Sequence, residues 1–179
     1  VTSSIPGEGK STISANLAVT LASAGSRTLL IDGDLRKGRL HDFFGRQATP
    51  GLTEVLRRAI DVKEATASTP FDNLSFLSRG KVAMDASELY LRSVTDDFLR
   101  QVYQDYDYIV IDSAPVLAKE DTASLAPKID ATLFVIRAGV ASLRRSRTAL
   151  DILKKRNVNI LGIVFNSAEK SSPGYYYYQ

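Results

Sequence analysis

The sequence has 179 residues, of which 44% are apolar and 24% charged, with no cysteine, no tryptophan and one histidine. This composition fits one folded domain and excludes collagen-like, low-complexity and largely disordered chains. The absence of cysteine excludes disulfide frameworks and thiol catalysis, so any chemistry must use carboxylates, lysines, hydroxyls or a bound cation. The net charge of +3 is too small to indicate nucleic-acid binding by itself, and no apolar run approaches the roughly 18 residues that a membrane span needs.

The chain begins with a glycine-rich loop and a helix. Residues 4–12 read Ser-Ile-Pro-Gly-Glu-Gly-Lys-Ser-Thr, and apolar side chains recur at helical spacing over residues 11–24, from Ile13 to Leu21. Gly25 then provides a stop. We expect a strand before such a loop. Because the sequence opens almost at the loop, we interpret it as part of a longer polypeptide with an upstream strand and helix.

A series of short strands and helices follows. Residues 27–31 form a predicted strand that ends in Asp32-Gly33-Asp34, where turn-forming residues take over. The helical pattern over residues 85–103 indicates one helix, or two that meet near Ser93. The remaining predicted elements are helical patches at 40–44 and 53–60, helices at 121–125 and 141–156, and strands at 74–77, 108–111, 131–136 and 160–165.

Continuously apolar strands that alternate with helices are typical of a parallel sheet covered on both faces. We therefore predict an α/β fold with a mostly parallel central sheet and helices on both faces. Neither an internal repeat nor a break in composition indicates a second domain. We assign residues 1–166 to this domain and residues 167–179, which lack periodicity, to a flexible tyrosine-rich tail.

The loop Gly-Glu-Gly-Lys-Ser at residues 7–11 has the features that phosphate binding requires. Its glycines let backbone N–H groups close on phosphate oxygens, and the start of the helix favours negative charge. In this pattern Lys10 reaches the β- and γ-phosphates and Ser11 holds Mg²⁺. The match is imperfect, because the first glycine of the general phosphate-loop pattern falls on Ser4. The alternative is a glycine-rich turn that binds nothing.

Acidic residues end two of the predicted strands. Asp32 and Asp34 follow one strand, and Asp112 follows another. The carboxyl ends of parallel strands share one edge of the sheet with the phosphate loop, so we expect the three carboxylates to gather beside a bound triphosphate. Asp112 would hold Mg²⁺ directly or through water. The alternative for each residue alone is a turn-forming aspartate.

Four adjacent tyrosines lie next to the last residue of the sequence, namely Tyr175, Tyr176, Tyr177 and Tyr178. One interpretation is a sticky terminal peptide or a tail docked on its own domain. The other is that their hydroxyls accept phosphate. Transfer to a phenol, whose pKa is about 10, is helped by a carboxylate that takes its proton while Mg²⁺ neutralises the phosphates. We assign the role of this base to Asp32.

The segments SSIPGEGKST, LLIDGDLRKGRLH, YDYIVIDSAPVL and YYYYQ occur together in this chain. They resemble the bacterial tyrosine kinases of capsule and exopolysaccharide assembly, known as BY-kinases, and the first three resemble that family's Walker A, Walker A′ and Walker B motifs. The resemblance implies a P-loop NTPase fold, ATP and Mg²⁺ as cofactors, and a protein-tyrosine kinase that phosphorylates its own tail.

The resemblance also assigns roles by position. It implies catalytic roles for Lys10, Asp32 and Asp34, metal ligation by Ser11, Asp32, Asp34 and Asp112, and nucleotide contacts from Gly7, Glu8, Gly9, Lys10, Ser11 and Thr12. Asn166 ends the last predicted strand, where related ATPases read adenine. The implied phosphoacceptors, with transfer between neighbouring subunits favoured, are Tyr175, Tyr176, Tyr177 and Tyr178.

Family members usually carry an E-x-x-R-x-x-R helix upstream of the phosphate loop that is used in oligomerisation, and this sequence begins after that point. The resemblance implies a homo-oligomer of the full-length protein, a membrane co-polymerase region or activator protein as partner, a tyrosine phosphatase, and no nucleic acid. It implies a location at the cytoplasmic side of the inner membrane. Ile5 stands where partition and septum-site ATPases carry a signature lysine, which argues against their sandwich-dimer mechanism.

The predicted helix at 141–156 is strongly basic through Arg144, Arg145, Arg147, Lys154, Lys155 and Arg156. It is either a solvated face or a surface for phospholipid headgroups or a neighbour's phosphorylated tail. We predict an ATP-dependent tyrosine autokinase that regulates polysaccharide polymerisation and export. The alternatives are a P-loop ATPase that acts as a switch, with the tyrosines used only for contact, and an inactive nucleotide-binding scaffold.

Overall fold

The computed structural model of the protein describes residues 1–168. The four predicted phosphoacceptors therefore lie outside the described residues, and their assignment stays a prediction: Tyr175, Tyr176, Tyr177 and Tyr178. The strands are β1 (Thr2–Ser3), β2 (Thr28–Asp32), β3 (Thr66–Ser68), β4 (Leu74–Leu77), β5 (Tyr108–Asp112), β6 (Thr132–Arg137) and β7 (Ile160–Asn166). The helices are α1 (Lys10–Ser23), α2 (Leu40–Phe43), α3 (Leu52–Leu56), α4 (Val62–Ala65), α5 (Ala86–Leu91), α6 (Ser93–Asp105), α7 (Asp121–Leu125) and α8 (Leu143–Lys155).

The strands form two ladders, β3-β4-β2-β5 and β1-β6-β7, in which β3 and β4 are antiparallel and the other pairs are parallel. The backbone of Val1 joins the ladders, because its N–H group donates to the Ile111 carbonyl at 2.7 Å and its carbonyl accepts from the Ser113 N–H at 3.1 Å. The predicted α/β fold with a mostly parallel sheet is confirmed.

Helices cover both faces of the sheet, and the alternation of side chains along β2 shows how. Leu29 and Ile31 pack on one face with residues of α3, α5 and α6. Leu30 faces the other way and packs with the alanines of α1 and with Phe76. The side chains of Leu29, Leu30 and Ile31 are all fully buried, which explains why the sequence of this strand is a continuous apolar run.

The structure differs from the sequence-based prediction between β2 and β5. The helical pattern over 85–103 is two helices, α5 and α6, separated by Arg92 in an extended conformation. The predicted patch at 53–60 is shorter, because Arg58 adopts a positive φ of 57° after α3. The antiparallel edge strand β3, with the sequence Thr-Ala-Ser, was missed because it has no apolar pattern.

One face of β7 is exposed. Leu161, Ile163 and Phe165 are 69%, 56% and 62% exposed, whereas the residues between them are partly buried. Between β5 and β6, beside α1, lies a cavity of about 600 Å³ whose lining among the described residues contains none of the predicted site residues. Within residues 1–168, no helix is both long enough and apolar enough to cross a bilayer.

Candidate active site

The loop between β1 and α1 has the backbone geometry of an anion-binding site. Gly7 and Gly9 have φ angles of 84° and 90°, a left-handed conformation that side-chain-bearing residues rarely adopt. Gly9 directly precedes the first helical residue, Lys10, so that the free N–H groups of the helix start face the loop. A Cβ at Gly9 would also collide with the Asn166 side chain. The loop therefore fits a bound phosphate group.

Glu8 and Asn166, both predicted to contact nucleotide, engage the loop itself. The fully buried Glu8 carboxylate accepts hydrogen bonds from the Ser4 hydroxyl at 2.9 Å and from the Ile5 N–H at 2.8 Å. The Asn166 amide donates to the Glu8 carbonyl at 2.9 Å. These contacts fix the shape of the loop from within, whereas Thr12 is exposed on the first turn of α1.

Replacing Asn166 with alanine distinguishes the two roles of this residue. If its amide holds the phosphate loop, as its contact with Glu8 indicates, the variant loses affinity for ATP and GTP by the same factor, about 5- to 10-fold, from one lost hydrogen bond. If the amide reads adenine, ATP affinity falls and GTP affinity does not. Calorimetric titration with both nucleotides measures the difference, and we expect parallel losses.

Lys10, Ser11 and Asp112 meet at the start of α1 and the end of β5. The Ser11 hydroxyl donates to Asp112 Oδ2 at 2.5 Å, and the Ser14 hydroxyl donates to Asp112 Oδ1 at 3.2 Å. Burial raises the pKa of the Asp112 carboxyl, and the hydrogen bond from Ser11 and the charge of Lys10 oppose that rise. Ser14 was missed by the sequence analysis, because its role depends on a contact 98 residues away along the chain.

Asp32 ends β2 and is paired in register with Asp112 on β5. The carboxylate is fully buried. Its Oδ2 accepts from the Leu40 N–H at 3.0 Å, and its Oδ1 has no hydrogen-bond partner. Burial raises the pKa of Asp32 to about 7, with smaller contributions from the charges of Asp112 and Asp34 and an opposing effect of the Leu40 N–H. A buried, unpartnered carboxylate oxygen of this kind suits a proton or a cation.

The Asp34 carboxylate forms hydrogen bonds within its own loop. Its Oδ1 accepts from the N–H groups of Arg36 at 3.2 Å and Lys37 at 2.9 Å. Within residues 1–168, no group of three or more histidine, aspartate or glutamate side chains lies close enough to hold a metal. Besides burial, the charges of Asp112 and Asp34 both raise the pKa of Asp32, so the three carboxylates lie near one another, but among the described residues they form no metal-binding cluster by themselves.

The donor set nevertheless fits Mg²⁺ bound together with nucleotide. Magnesium is commonly held by one or two carboxylates and substrate phosphates rather than by a cage made only of protein ligands. The Ser11 hydroxyl and the Asp112 carboxylate supply that partial set at the phosphate loop. Asp32, with its free Oδ1, lies on the neighbouring strand.

A cavity of about 470 Å³ opens beside these residues, between the loop after β2 and the loop after β5. The predicted site residues among its lining are Gly7, Lys10, Ser11, Asp34 and Asp112. Asp32 lies behind Gly38, which lines the cavity and whose missing Cβ leaves room for the Asp32 carboxylate. The structure therefore brings phosphate-loop groups and Asp34 to one cavity, with Asp32 directly behind its wall.

Two residues that line this cavity form an ion pair, which the sequence did not predict. Arg36 Nε lies 2.6 Å from Asp121 Oδ2, and a second guanidinium nitrogen lies 3.2 Å from Oδ1. The side chains of Arg36 and Asp121 are only 16% and 3% exposed. This bidentate pair joins the loop after β2 to the first residue of α7.

The two acidic strand ends are connected through Gly33. Its N–H donates to the Asp112 carbonyl at 2.7 Å, and its carbonyl accepts from the fully buried Tyr90 hydroxyl at 2.7 Å. Burial raises the pKa of Tyr90 well above its usual value, so the hydroxyl stays a neutral donor. A Cβ at Gly33 would lie 2.7 Å from Ile111 Cγ2 and 2.9 Å from the Asp112 carbonyl oxygen. Only glycine fits this position without displacement.

Comparisons with known proteins show which family this chain resembles. A family model described as an AAA domain matches residues 4–144. The putative tyrosine-protein kinase EpsB of Ralstonia solanacearum is 36% identical over 177 residues, which are 99% of this chain and 24% of that protein. The tyrosine-protein kinase CpsD of Streptococcus pneumoniae is 35% identical over 176 residues, which are 98% of this chain and 78% of that protein.

Among solved structures, the kinase domain of the Escherichia coli tyrosine kinase ETK superposes with a TM-score of 0.90 at 28% identity. The match covers 98% of this chain and 69% of that chain. This chain thus spans most of the length of CpsD and about a quarter of the length of EpsB.

Proposed function

This chain belongs to the bacterial tyrosine-protein kinase family, within the AAA-domain group, and we propose that it transfers the γ-phosphate of ATP to tyrosine with Mg²⁺ as cofactor. One observation carries the proposal: a single cavity joins the phosphate-loop residues Lys10 and Ser11 to Asp34, just after β2, and to Asp112 at the end of β5, with Asp32 directly behind its wall. A site with these groups can hold a triphosphate on one side and an acceptor hydroxyl on the other.

In the proposed reaction, the backbone N–H groups at Gly7 and Gly9 bind phosphate oxygens, and the Lys10 ammonium neutralises their charge. Ser11 and Asp112 would hold Mg²⁺, which when bound offsets the negative charge that accumulates on the phosphates. The tyrosine oxygen attacks the γ-phosphorus, the bond between that phosphorus and the β,γ-bridging oxygen breaks, and ADP leaves. Asp32, which lies behind Gly38 at the cavity wall, takes the phenolic proton through one bridging water, and its pKa of about 7 suits this role.

The acceptors that we propose, with transfer between neighbouring subunits, are Tyr175, Tyr176, Tyr177 and Tyr178. By resemblance to the family, the reaction would regulate the polymerisation and export of capsular or exopolysaccharide. The full-length protein would then form a homo-oligomer with a membrane co-polymerase region or activator at the cytoplasmic side of the inner membrane, and a tyrosine phosphatase would reverse the modification. We expect no nucleic-acid partner.

A mixing experiment tests both the transfer and its direction. The acceptor is the Lys10→Met variant, which lacks the ammonium group at the phosphates, and the donor is active protein in which all four tail tyrosines are phenylalanine. After incubation with ATP and Mg²⁺, we expect phosphotyrosine mass spectrometry to detect phosphate on tail peptides of the Lys10→Met chains.

The wild type alone should carry tail phosphate, and Lys10→Met alone should carry none. Phosphate on the wild-type tail with none in the mixture would contradict transfer between chains and favour transfer within one chain. Absence of phosphate from the wild type would defeat the kinase proposal. ATP turnover without tyrosine transfer would then favour an ATPase switch, and no turnover would favour a scaffold.

A further inference from the structure

Two lysines line the cavity from opposite loops. Lys37 belongs to the loop after β2, and Lys119 belongs to the loop after β5. Both residues are exposed, and within residues 1–168 neither side chain forms an ion pair. Their neighbours differ in this respect, because Arg36 pairs with Asp121 and Arg39 pairs with Asp42. Besides Lys10 at the phosphate loop and the Asp34 carboxylate, the cavity lining therefore has two lysine charges without an ion-pair partner within residues 1–168.

The proposed acceptor segment acquires the opposite charge as the reaction proceeds. Its four tyrosines are adjacent, so after the first transfer each remaining acceptor has a phosphotyrosine within three positions. Each phosphate carries a charge of about −1.5 to −2 at neutral pH. In an extended segment, side chains two positions apart point the same way and are spaced by about 7 Å. A phosphate two positions from the acceptor would therefore enter on the same side as the acceptor hydroxyl.

We propose that Lys37 and Lys119 bind a phosphotyrosine two positions from the acceptor, so that the cavity prefers a tail that already carries phosphate. The inference rests on the proposed kinase function and adds substrate selectivity to the same site. The bond changes of the transfer are those given above, and the bound phosphotyrosine is not consumed. A phosphate added to one tyrosine therefore makes transfer to the tyrosine two positions away in the same tail faster.

Single-acceptor peptides test this selectivity. The enzyme is the full chain with its four tail tyrosines replaced by phenylalanine, and the peptides reproduce residues 171–179 with tyrosine only at position 175. Position 177 carries phenylalanine, aspartate or phosphotyrosine, and a fourth peptide carries phosphotyrosine at position 176. We expect phosphotyrosine at position 177 to lower KM about tenfold relative to phenylalanine, as charge-assisted hydrogen bonds allow, with a smaller effect from position 176.

Substitutions in the enzyme assign the effect to the two lysines. The double variant Lys37→Ala/Lys119→Ala should reduce the tenfold KM ratio to near one. Lys154→Ala, which removes an exposed lysine from the last turn of α8, should leave that ratio unchanged. Equal KM values for the phenylalanine and phosphotyrosine peptides would overturn the proposal. So would a double variant that raises KM for ATP but keeps the peptide ratio, because the lysines would then serve the nucleotide.

A binding measurement separates this inference from the kinase proposal. Fluorescence anisotropy of the same peptides, labelled and mixed with enzyme, Mg²⁺ and a non-hydrolysable ATP analogue, requires no turnover. If no peptide is phosphorylated but the peptide with phosphotyrosine at position 177 binds about tenfold more tightly, the kinase function fails and the recognition of phosphotyrosine holds. If peptides are phosphorylated and bind equally well, the kinase function holds and this inference fails.

Discussion

Replacing Asp32 with asparagine is expected to lower kcat for tyrosine transfer by about 10²- to 10⁴-fold, the usual contribution of a general base. The asparagine side chain keeps the size of the carboxyl group and the acceptor for the Leu40 N–H, but it takes no proton. The wild-type rate should rise with pH through about 7, because Asp32 has a pKa of about 7 and must be ionised to act. Steady-state assays with a tyrosine peptide between pH 5.5 and 8.5 measure both effects.

The same substitution is expected to stabilise the fold at pH 8. The pKa of Asp32 is raised from 3.8 to about 7, so the folded protein resists its ionisation by about 4 kcal/mol, at about 1.4 kcal/mol per pKa unit. The buried amide group of asparagine has no hydrogen-bond partner, which costs about 1–3 kcal/mol of stability, so the net increase in the free energy of unfolding is about 1–3 kcal/mol. Loss of activity together with a gain in stability is typical of a group retained for function.

The sign of the pH dependence follows from linkage. Below the unfolded-state pKa of 3.8, Asp32 is protonated in both the folded and the unfolded state, so it does not lower the free energy of unfolding. As pH rises from there through about 7, the unfolded state ionises first, and the wild type loses stability that the variant keeps. Urea unfolding should therefore show a larger advantage of Asp32→Asn at pH 8 than at pH 5. An advantage that is equal or larger at pH 5 would contradict the raised pKa.

Asp34→Asn is the matched control for these experiments. It removes a carboxylate from the cavity wall and leaves the buried one in place, so no gain in stability is expected. If Asp34→Asn lost the pH-dependent transfer while Asp32→Asn retained it, the proton acceptor would be Asp34. Retention of activity by both variants would argue against general-base catalysis by either residue.

Asp121→Ala is expected to destabilise the fold by about 2–3 kcal/mol. The substitution leaves the mostly buried Arg36 guanidinium without its bidentate partner, and uncompensated buried charge accounts for most of the loss when such a pair is broken. Because Arg36 retains 16% exposure, the expected loss lies at or below the usual range of about 3–5 kcal/mol. Urea denaturation followed by circular dichroism measures the change in the free energy of unfolding.

The adjacent residue provides a matched control for the ion pair. Glu120 forms an ion pair with Arg156, but its side chain is 75% exposed. Glu120→Ala should therefore change the free energy of unfolding by about 1 kcal/mol or less. The double variant Arg36→Met/Asp121→Leu should recover most of the stability lost in Asp121→Ala, since it leaves no charge unpaired. Equal losses from Asp121→Ala and Glu120→Ala would contradict this account.

The fold could be predicted where local pattern and packing agree. The predicted strand at 74–77 and helix at 121–125 coincide with β4 and α7. The strand preceding Asp112 was correct to within one residue, because burial on both faces selects a continuous apolar run. The two-residue strand β1 and the polar strand β3 are defined by pairing with distant strands, which a local pattern does not contain.

The motifs of the candidate site could be predicted from the sequence, whereas the residues that hold those motifs in place could be predicted less well. Glycine spacing located the phosphate loop, and acids after apolar runs located Asp32 and Asp112 at neighbouring strand ends. Tyr90 and Asp121 were missed because their partners lie 57 and 85 residues away along the chain, and nothing in their local sequence marks them. Asp34 was predicted to lie beside the other acids, but its local sequence did not indicate that its Oδ1 accepts hydrogen bonds from the N–H groups of its own loop.

Gly33 and the exposed lysines of the cavity differ in how tightly their neighbours constrain them. Any side chain at position 33 would displace Ile111 or the Asp112 backbone, and with them the acidic strand ends. Lys37 and Lys119 are exposed, so substitutions there disturb no packing. Under the proposed recognition, the preference among acceptor sequences can therefore be redesigned at Lys37 and Lys119, while the acidic strand ends proposed for the chemistry are held in place by their neighbours.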